Sequence, residues 1–211
     1  MFEVKKTKRK MNIAVLVSGG GTNLQALIDA QREGRIRSGE IKLVISNKLD
    51  AFALERAASA GIPTALVIKK DCGSQEAFED TIMMRLEEYE IDVIVLAGFM
   101  AILSERFTSA YPRRILNVHP SLIPSFCGKG FYGLRVHEAA LAKGVKVTGA
   151  TVHFVNEIPD GGEILLQKAV KICKNDTPES LQARVMRQAE WVILPRAVEQ
   201  VCAELASNKR R

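Results

Sequence analysis

The sequence predicts an α/β domain with an open, mostly parallel, Rossmann-like sheet flanked by helices and an antiparallel strand pair appended C-terminally. Three observations predict it. Apolar runs of strand length, such as Met11–Val17 and Asp92–Ala97, alternate with stretches of helical spacing. The first run leads directly into a glycine loop and then a helix. Towards the C-terminus, two long strand-like stretches are separated by only seven residues, Asn156 to Gly162.

The elements follow in order. Met11–Val17 is apolar throughout, as a strand covered on both faces must be. Ser18 to Asn23 form the loop, and Leu24 to Ala30 have helical spacing. Ile41–Ser46 is the second strand. A helix is expected over 50–60, with Asp50 as its cap and Gly61 as its stop. Pro63–Ile68 is the third strand. Ser74 to Tyr89 form an amphipathic helix, although Ala77 denies Ser74 a full capping box. Asp92–Ala97, a short helix over 104–109 and Ile115–Val118 come next. After a glycine-containing loop, Ser125 to Gly133, a helix covers 136–143 and the long strands cover 145–155 and 163–173. Thr177-Pro178-Glu179 marks the start of the last helix, which runs to about Ala206. Pro195 is expected to kink or interrupt it.

The chain has 211 residues, 47% hydrophobic and 26% charged, an ordinary balance for a globular domain. The net charge of +6 belongs to the tails. Residues 1–10 hold five basic side chains against Glu3, and Lys209, Arg210 and Arg211 close the chain. A basic body able to grip nucleic acid is therefore not expected. Residues 1–10 read as a disordered basic extension, and 11–211 as a single domain. No apolar run reaches membrane-span length and none resembles a secretory signal, so a cytoplasmic protein is expected. The four cysteines form no CxxC and there are three histidines, which argues against a zinc site.

Asn117 and His119 lie at the end of the fifth strand, two residues apart, so their side chains share a face. Pro120 then ends the strand. Polar groups at the carboxyl end of such a strand suit a ligand crevice. The structural alternative is a buried pair satisfied by backbone. Gly19-Gly20-Gly21 lacks the third glycine of a dinucleotide loop and the Lys of a Walker loop. What remains suits a single phosphate, with Thr22 and Asn23 adding donors; a tight turn that binds nothing is the alternative. Pro159-Asp160-Gly161-Gly162 is a common turn that gains weight from Asn117 and His119. Amide, imidazole and carboxylate without an activated nucleophile fit direct acyl transfer.

Four motifs, in order, carry a resemblance: Ser18-Gly19-Gly20-Gly21-Thr22-Asn23-Leu24, Leu96-Ala97-Gly98-Phe99-Met100, Asn117-Val118-His119-Pro120-Ser121-Leu122 and Asp160-Gly161-Gly162. From Met11 to about Leu205 the chain resembles the phosphoribosylglycinamide formyltransferases of de novo purine biosynthesis. The resemblance implies the formyltransferase fold, with residues 11–118 as the phosphate-binding half and 119–211 as the folate-binding and catalytic half. It implies 10-formyltetrahydrofolate as co-substrate, no metal, and small-molecule partners rather than nucleic acid or membrane; a homodimer stays open. It implies Asn117, His119 and Asp160 as the catalytic set. Gly21, Thr22, Asn23 and Glu190 would hold the ribonucleotide. Met100, Ala101, Ile102, Leu103, Asn156, Glu157, Ile158 and Pro159 would line the folate pocket together with Asn117 and Asp160. His153 and His137 read as structural support.

The chain departs from some members in a longer Ser125–Gly133 loop, in Cys127, and in Gln75 where an arginine contacts folate. The rivals are a formyl transferase acting on methionyl-tRNA, a formate-releasing hydrolase, a nucleotide-binding module, and nucleic-acid binding through the tails. The first two are expected to need extra C-terminal or N-terminal domains.

Overall fold

The computed structural model describes residues 9–208. The expected disorder of residues 1–10 falls mainly on 1–8, which lie outside the described residues, as do 209–211. The first half contains β1 (Met11–Val17), α1 (Thr22–Arg32), β2 (Gly39–Ser46), α2 (Phe52–Ser59), β3 (Thr64–Leu66), α3 (Lys69–Cys72), α4 (Gln75–Glu88), β4 (Val93–Leu96), α5 (Glu105–Ala110) and β5 (Ile115–His119). It continues through α6 (Leu134–Lys143), β6 (Val147–Phe154), β7 (Ile164–Lys171), α7 (Pro178–Val185) and α8 (Trp191–Asn208).

All seven strands join one sheet in the order β3-β2-β1-β4-β5-β6-β7. The pairs from β3 to β5 are parallel, as strands linked by helical crossovers must be. β5–β6 and β6–β7 are antiparallel, which the short β6–β7 loop permits. The expected appended pair is therefore present.

β1 shows why its sequence is apolar at every position. Ile13, Val15 and Val17 face one core with Leu24, Leu27 and Ile28 of α1 and Ile193, Ala197 and Val201 of α8. Ala14 and Leu16 face the other core with Phe78, Ile82 and Leu86 of α4. Burial of each large apolar side chain contributes about 1.5–3 kcal/mol, so both faces stabilise the strand.

Two local expectations are corrected. Asp50 does not cap α2; the cap position is Ala51, without a side-chain hydrogen bond. The Ala53 N–H instead donates to the Gly19 carbonyl at 3.1 Å, so the helix start is satisfied by the glycine loop. Pro195 does not interrupt the last helix, because α8 runs through it. The irregularity is a π-helical turn at Met186–Glu190, just ahead of α8. Thr177 does cap α7, in a reciprocal box with Ser180.

Candidate active site

The strand order changes direction at β1 and β4, where open α/β sheets form crevices at their carboxyl edge. Ser18, directly after β1, ties three loops there. Its hydroxyl donates to Asn47 Oδ1 at 2.7 Å, after β2, and accepts from the Met100 N–H at 2.8 Å, after β4.

The glycine loop follows. Gly21 has φ 69°, and a Cβ there would lie 2.6 Å from Ala53 Cβ, so glycine is required for packing alone. Gly19 and Gly20 have open space around them, and packing does not demand them. Their carbonyls are drawn to α2, Gly19 by the Ala53 N–H and Gly20 by Arg56 Nε at 2.8 Å. In a trans peptide the next N–H points the opposite way. The Gly20 and Gly21 amides therefore point away from α2, alongside the free first-turn amides of α1, which suits an anion.

Asn23 Nδ2 donates to Glu190 Oε2 at 2.7 Å, while Asn23 Oδ1 is buried without a protein partner. Glu190 ends the π-helical turn and is buried. Burial pushes its carboxyl up to about 7 against the lowering effect of the Asn23 bond. The folded protein therefore holds this proton between about pH 4.5 and 7 while the unfolded chain releases it. Stability is expected to fall as pH rises through that window, by about 3 kcal/mol for this group. In urea unfolding across the window, Glu190→Gln should gain about that much relative to the parent. Parallel pH profiles would refute the assignment.

A cleft of about 600 Å³ opens beside β4 and β5. Met100, Ala101, Ile102 and Leu103 line one wall, and Asn156, Glu157, Ile158, Pro159 and Asp160 another. Met100, Ile102 and Ile158 are exposed large apolar side chains at this cleft, and its size suits a drug-sized ligand. Asn117, His119, Asp160 and His153 also line it.

These four polar side chains meet. Asp160 Oδ2 lies 3.4 Å from His119 Nδ1, and Oδ1 lies 3.6 Å from His153 Nε2. Asn117 Nδ2 is 3.0 Å from His153 Nε2 and 3.4 Å from Asp160 Oδ1. His153 Nδ1 sits 2.8 Å from the Phe154 carbonyl, which only accepts, so this nitrogen carries hydrogen and Nε2 accepts from Asn117. His119 Nε2 likewise donates to the Phe126 carbonyl at 2.8 Å. Asp160 has φ 57° and accepts from the Gly128 N–H at 2.8 Å. Burial raises its pKa, but the His119 charge and the Gly128 amide hold it below the usual carboxylate range. The carboxylate is thus ionised at neutral pH.

A family model described as formyl transferase matches residues 11–198. The chain belongs to the formyl transferase family. Membership makes it an enzyme of the transferase class. It is 45% identical over 185 residues to the phosphoribosylglycinamide formyltransferase of Escherichia coli (strain K12), 88% of this chain and 84% of that protein. It is 46% identical over 196 residues to the Homo sapiens trifunctional purine biosynthetic protein adenosine-3, covering 93% of this chain but 19% of that protein. Glycinamide ribonucleotide transformylase 1 from Symbiobacterium toebii superposes with a TM-score of 0.86 at 42% identity, over 92% of this chain and 89% of that one.

Within this formyl transferase, sequence reasoning missed several contacts. His153, read from the sequence as structural support, pairs across the sheet with Asn117 and reaches Asp160. Cross-strand register was the available signal, since Asn117 and His153 sit on adjacent strands. The Phe126 carbonyl and the Gly128 amide are backbone groups, and no residue type announces them. His137 is buried with both ring nitrogens unpartnered, and burial, aided by the His119 charge, pushes it down to about 4.

Proposed function

We propose that this enzyme transfers the formyl group of 10-formyltetrahydrofolate to the amine of 5'-phosphoribosylglycinamide, a step of de novo purine biosynthesis. The observation that carries the reading is the Asp160 carboxylate beside the His119 imidazole and the Asn117 amide, in a cleft whose wall is tied through Ser18 to the glycine loop. The names of the E. coli and S. toebii relatives support the same acceptor.

The cleft fits a folate. It is apolar along Leu96, Leu103 and Val155, and polar where Asn117, His119 and Asp160 converge. Gly21, Thr22 and Asn23 would hold the ribonucleotide phosphate, and Glu190 would accept from its ribose. Residues 11–118 would thus supply the phosphate half, and 119–211 most of the catalytic half.

Attack of the acceptor amine on the formyl carbon forms a C–N bond and turns the carbonyl into an oxyanion. His119 Nε2–H and the Asn117 amide would hold that charge, the amide hydrogen turning to it from Asp160 Oδ1, now 3.4 Å away. In the structure the Phe126 carbonyl takes the His119 hydrogen, and the oxyanion would replace it as acceptor. Asp160, through water, accepts the proton leaving the amine and returns it to the folate nitrogen as that C–N bond breaks. The scheme calls on no metal. A cytoplasmic location and small-molecule partners belong to the same proposal.

The test is incubation of the purified protein with both substrates. Formylated ribonucleotide and deformylated folate should appear in equal amounts. Formate released without the acceptor would favour hydrolysis instead and overturn the proposal.

A further inference from the structure

One face of α2 holds two carbonyls of the glycine loop. The Ala53 N–H donates to Gly19 at 3.1 Å, and Arg56 Nε donates to Gly20 at 2.8 Å. Ala53 and Arg56 are one turn apart in the helix, so they share a face. The topology brings this face to the loop. β1 and β2 are parallel neighbours, so the segments that follow them emerge at the same carboxyl edge. Gly21 lies flush against the helix there. A Cβ on it would meet Ala53 Cβ at 2.6 Å and Arg56 Cδ at 3.4 Å.

The guanidinium is itself held. Arg56 Nη1 donates to Gln25 Oε1 at 3.1 Å, and Gln25 Nε2 donates onward to Asp29 Oδ1 at 2.9 Å. The same head lies 4.9 Å over the Phe52 ring. Among the described residues Arg56 has no carboxylate at ion-pair distance, so its charged donors go to the Gly20 carbonyl and the Gln25 amide. The Gly20 carbonyl and the Gly21 N–H are opposite ends of one peptide group. Side-chain bulk does little to stop that group turning over. Nothing lies within 4 Å of a Cβ added at Gly20, and glycine accepts either sign of φ. A charged donor on the carbonyl end fixes one orientation and polarises the N–H at the other end.

We infer that Arg56 is a positioning residue for the acceptor's phosphate: its hold on the Gly20 carbonyl turns the Gly21 N–H towards the anion. The inference rests on the phosphate reading of the glycine loop. Arg56 stands on the α2 side of the loop while the amides point away from α2, so it acts through the peptide. Without it the peptide can turn over, and a carbonyl oxygen then faces the phosphate in place of a donor. The rigid fork of arginine suits this task, because Nε and Nη1 reach two oxygens at once.

The test measures kcat and both KM values in Arg56→Met, Arg56→Lys and Gln25→Leu. Arg56→Met keeps an apolar stem against Gly21 and removes the charged head. It should raise the KM for 5'-phosphoribosylglycinamide about thirtyfold, the scale of a lost charged hydrogen bond, with kcat and the folate KM within about twofold of the parent. Arg56→Lys should recover most of that loss. Gln25→Leu, which frees one prong of the guanidinium, should raise the same KM about threefold. An unchanged ribonucleotide KM in Arg56→Met, or a loss shared equally by kcat and both KM values, overturns the inference. Should Arg56→Met fail to fold, a parent-like KM in Gln25→Leu overturns it. Calorimetry with ribose 5-phosphate separates the inference from the formyl-transfer reading, since it needs no reaction. Weaker binding by Arg56→Met supports the positioning role even if no formyl group moves. Equal affinity, or no binding by the parent, overturns it.

Discussion

Asp160→Asn should lower kcat by about a thousandfold in a protein that still folds, the scale of a lost general base and its charge. Asparagine keeps the shape and an oxygen for the Gly128 N–H, which Asp160 now receives at 2.8 Å. It removes the negative charge that faces His119 at 3.4 Å, and it cannot accept a proton. The KM for either substrate should change far less than kcat, because the loss falls on the transition state. Activity above about a tenth of the parent rate in a folded variant would exclude Asp160 from proton transfer.

Gly162→Ala should be the most damaging single methyl in the chain. A Cβ at this position would lie 1.8 Å from the Phe154 carbonyl oxygen and 2.8 Å from its carbon. Both are backbone atoms at the end of β6, so no side chain can swing aside. The β6–β7 loop must move, carrying Asp160 with it. We expect a loss of about 3 kcal/mol in urea unfolding, at the upper end for overpacking. Turnover should fall together with stability. Gly19→Ala is the control, because nothing lies within 4 Å of its added Cβ and stability should stay unchanged. If both variants unfold at the parent's midpoint, the close approach of the loop to β6 is wrong.

Much of this architecture was legible in the residues. The period of Met11–Val17 required cover on both faces, and the two cores supply it. The two-residue spacing of Asn117 and His119 put both side chains on the cleft side of β5. Local chemistry was less informative where tertiary contacts replaced it. Asp50 offered a cap that α2 does not use, because Gly19 satisfies the helix start from another element. Pro195 promised a break, but α8 runs through it. The hydrogen bonds that set His119 and Asp160 come from the Phe126 carbonyl and the Gly128 amide. Every residue carries such groups, so a sequence cannot single them out. The hold of Arg56 on Gly20 was hidden for another reason: the two are 36 residues apart and meet only through the pairing of β1 with β2.

Whether His119 and Asp160 act as one unit is read most directly from a double-mutant cycle on kcat/KM. The variants are His119→Ala, Asp160→Ala and the two combined. With the imidazole and carboxylate in contact at 3.4 Å, the combined variant should be scarcely slower than the slower single one. Losses that multiply, as for two independent groups, would contradict a shared role.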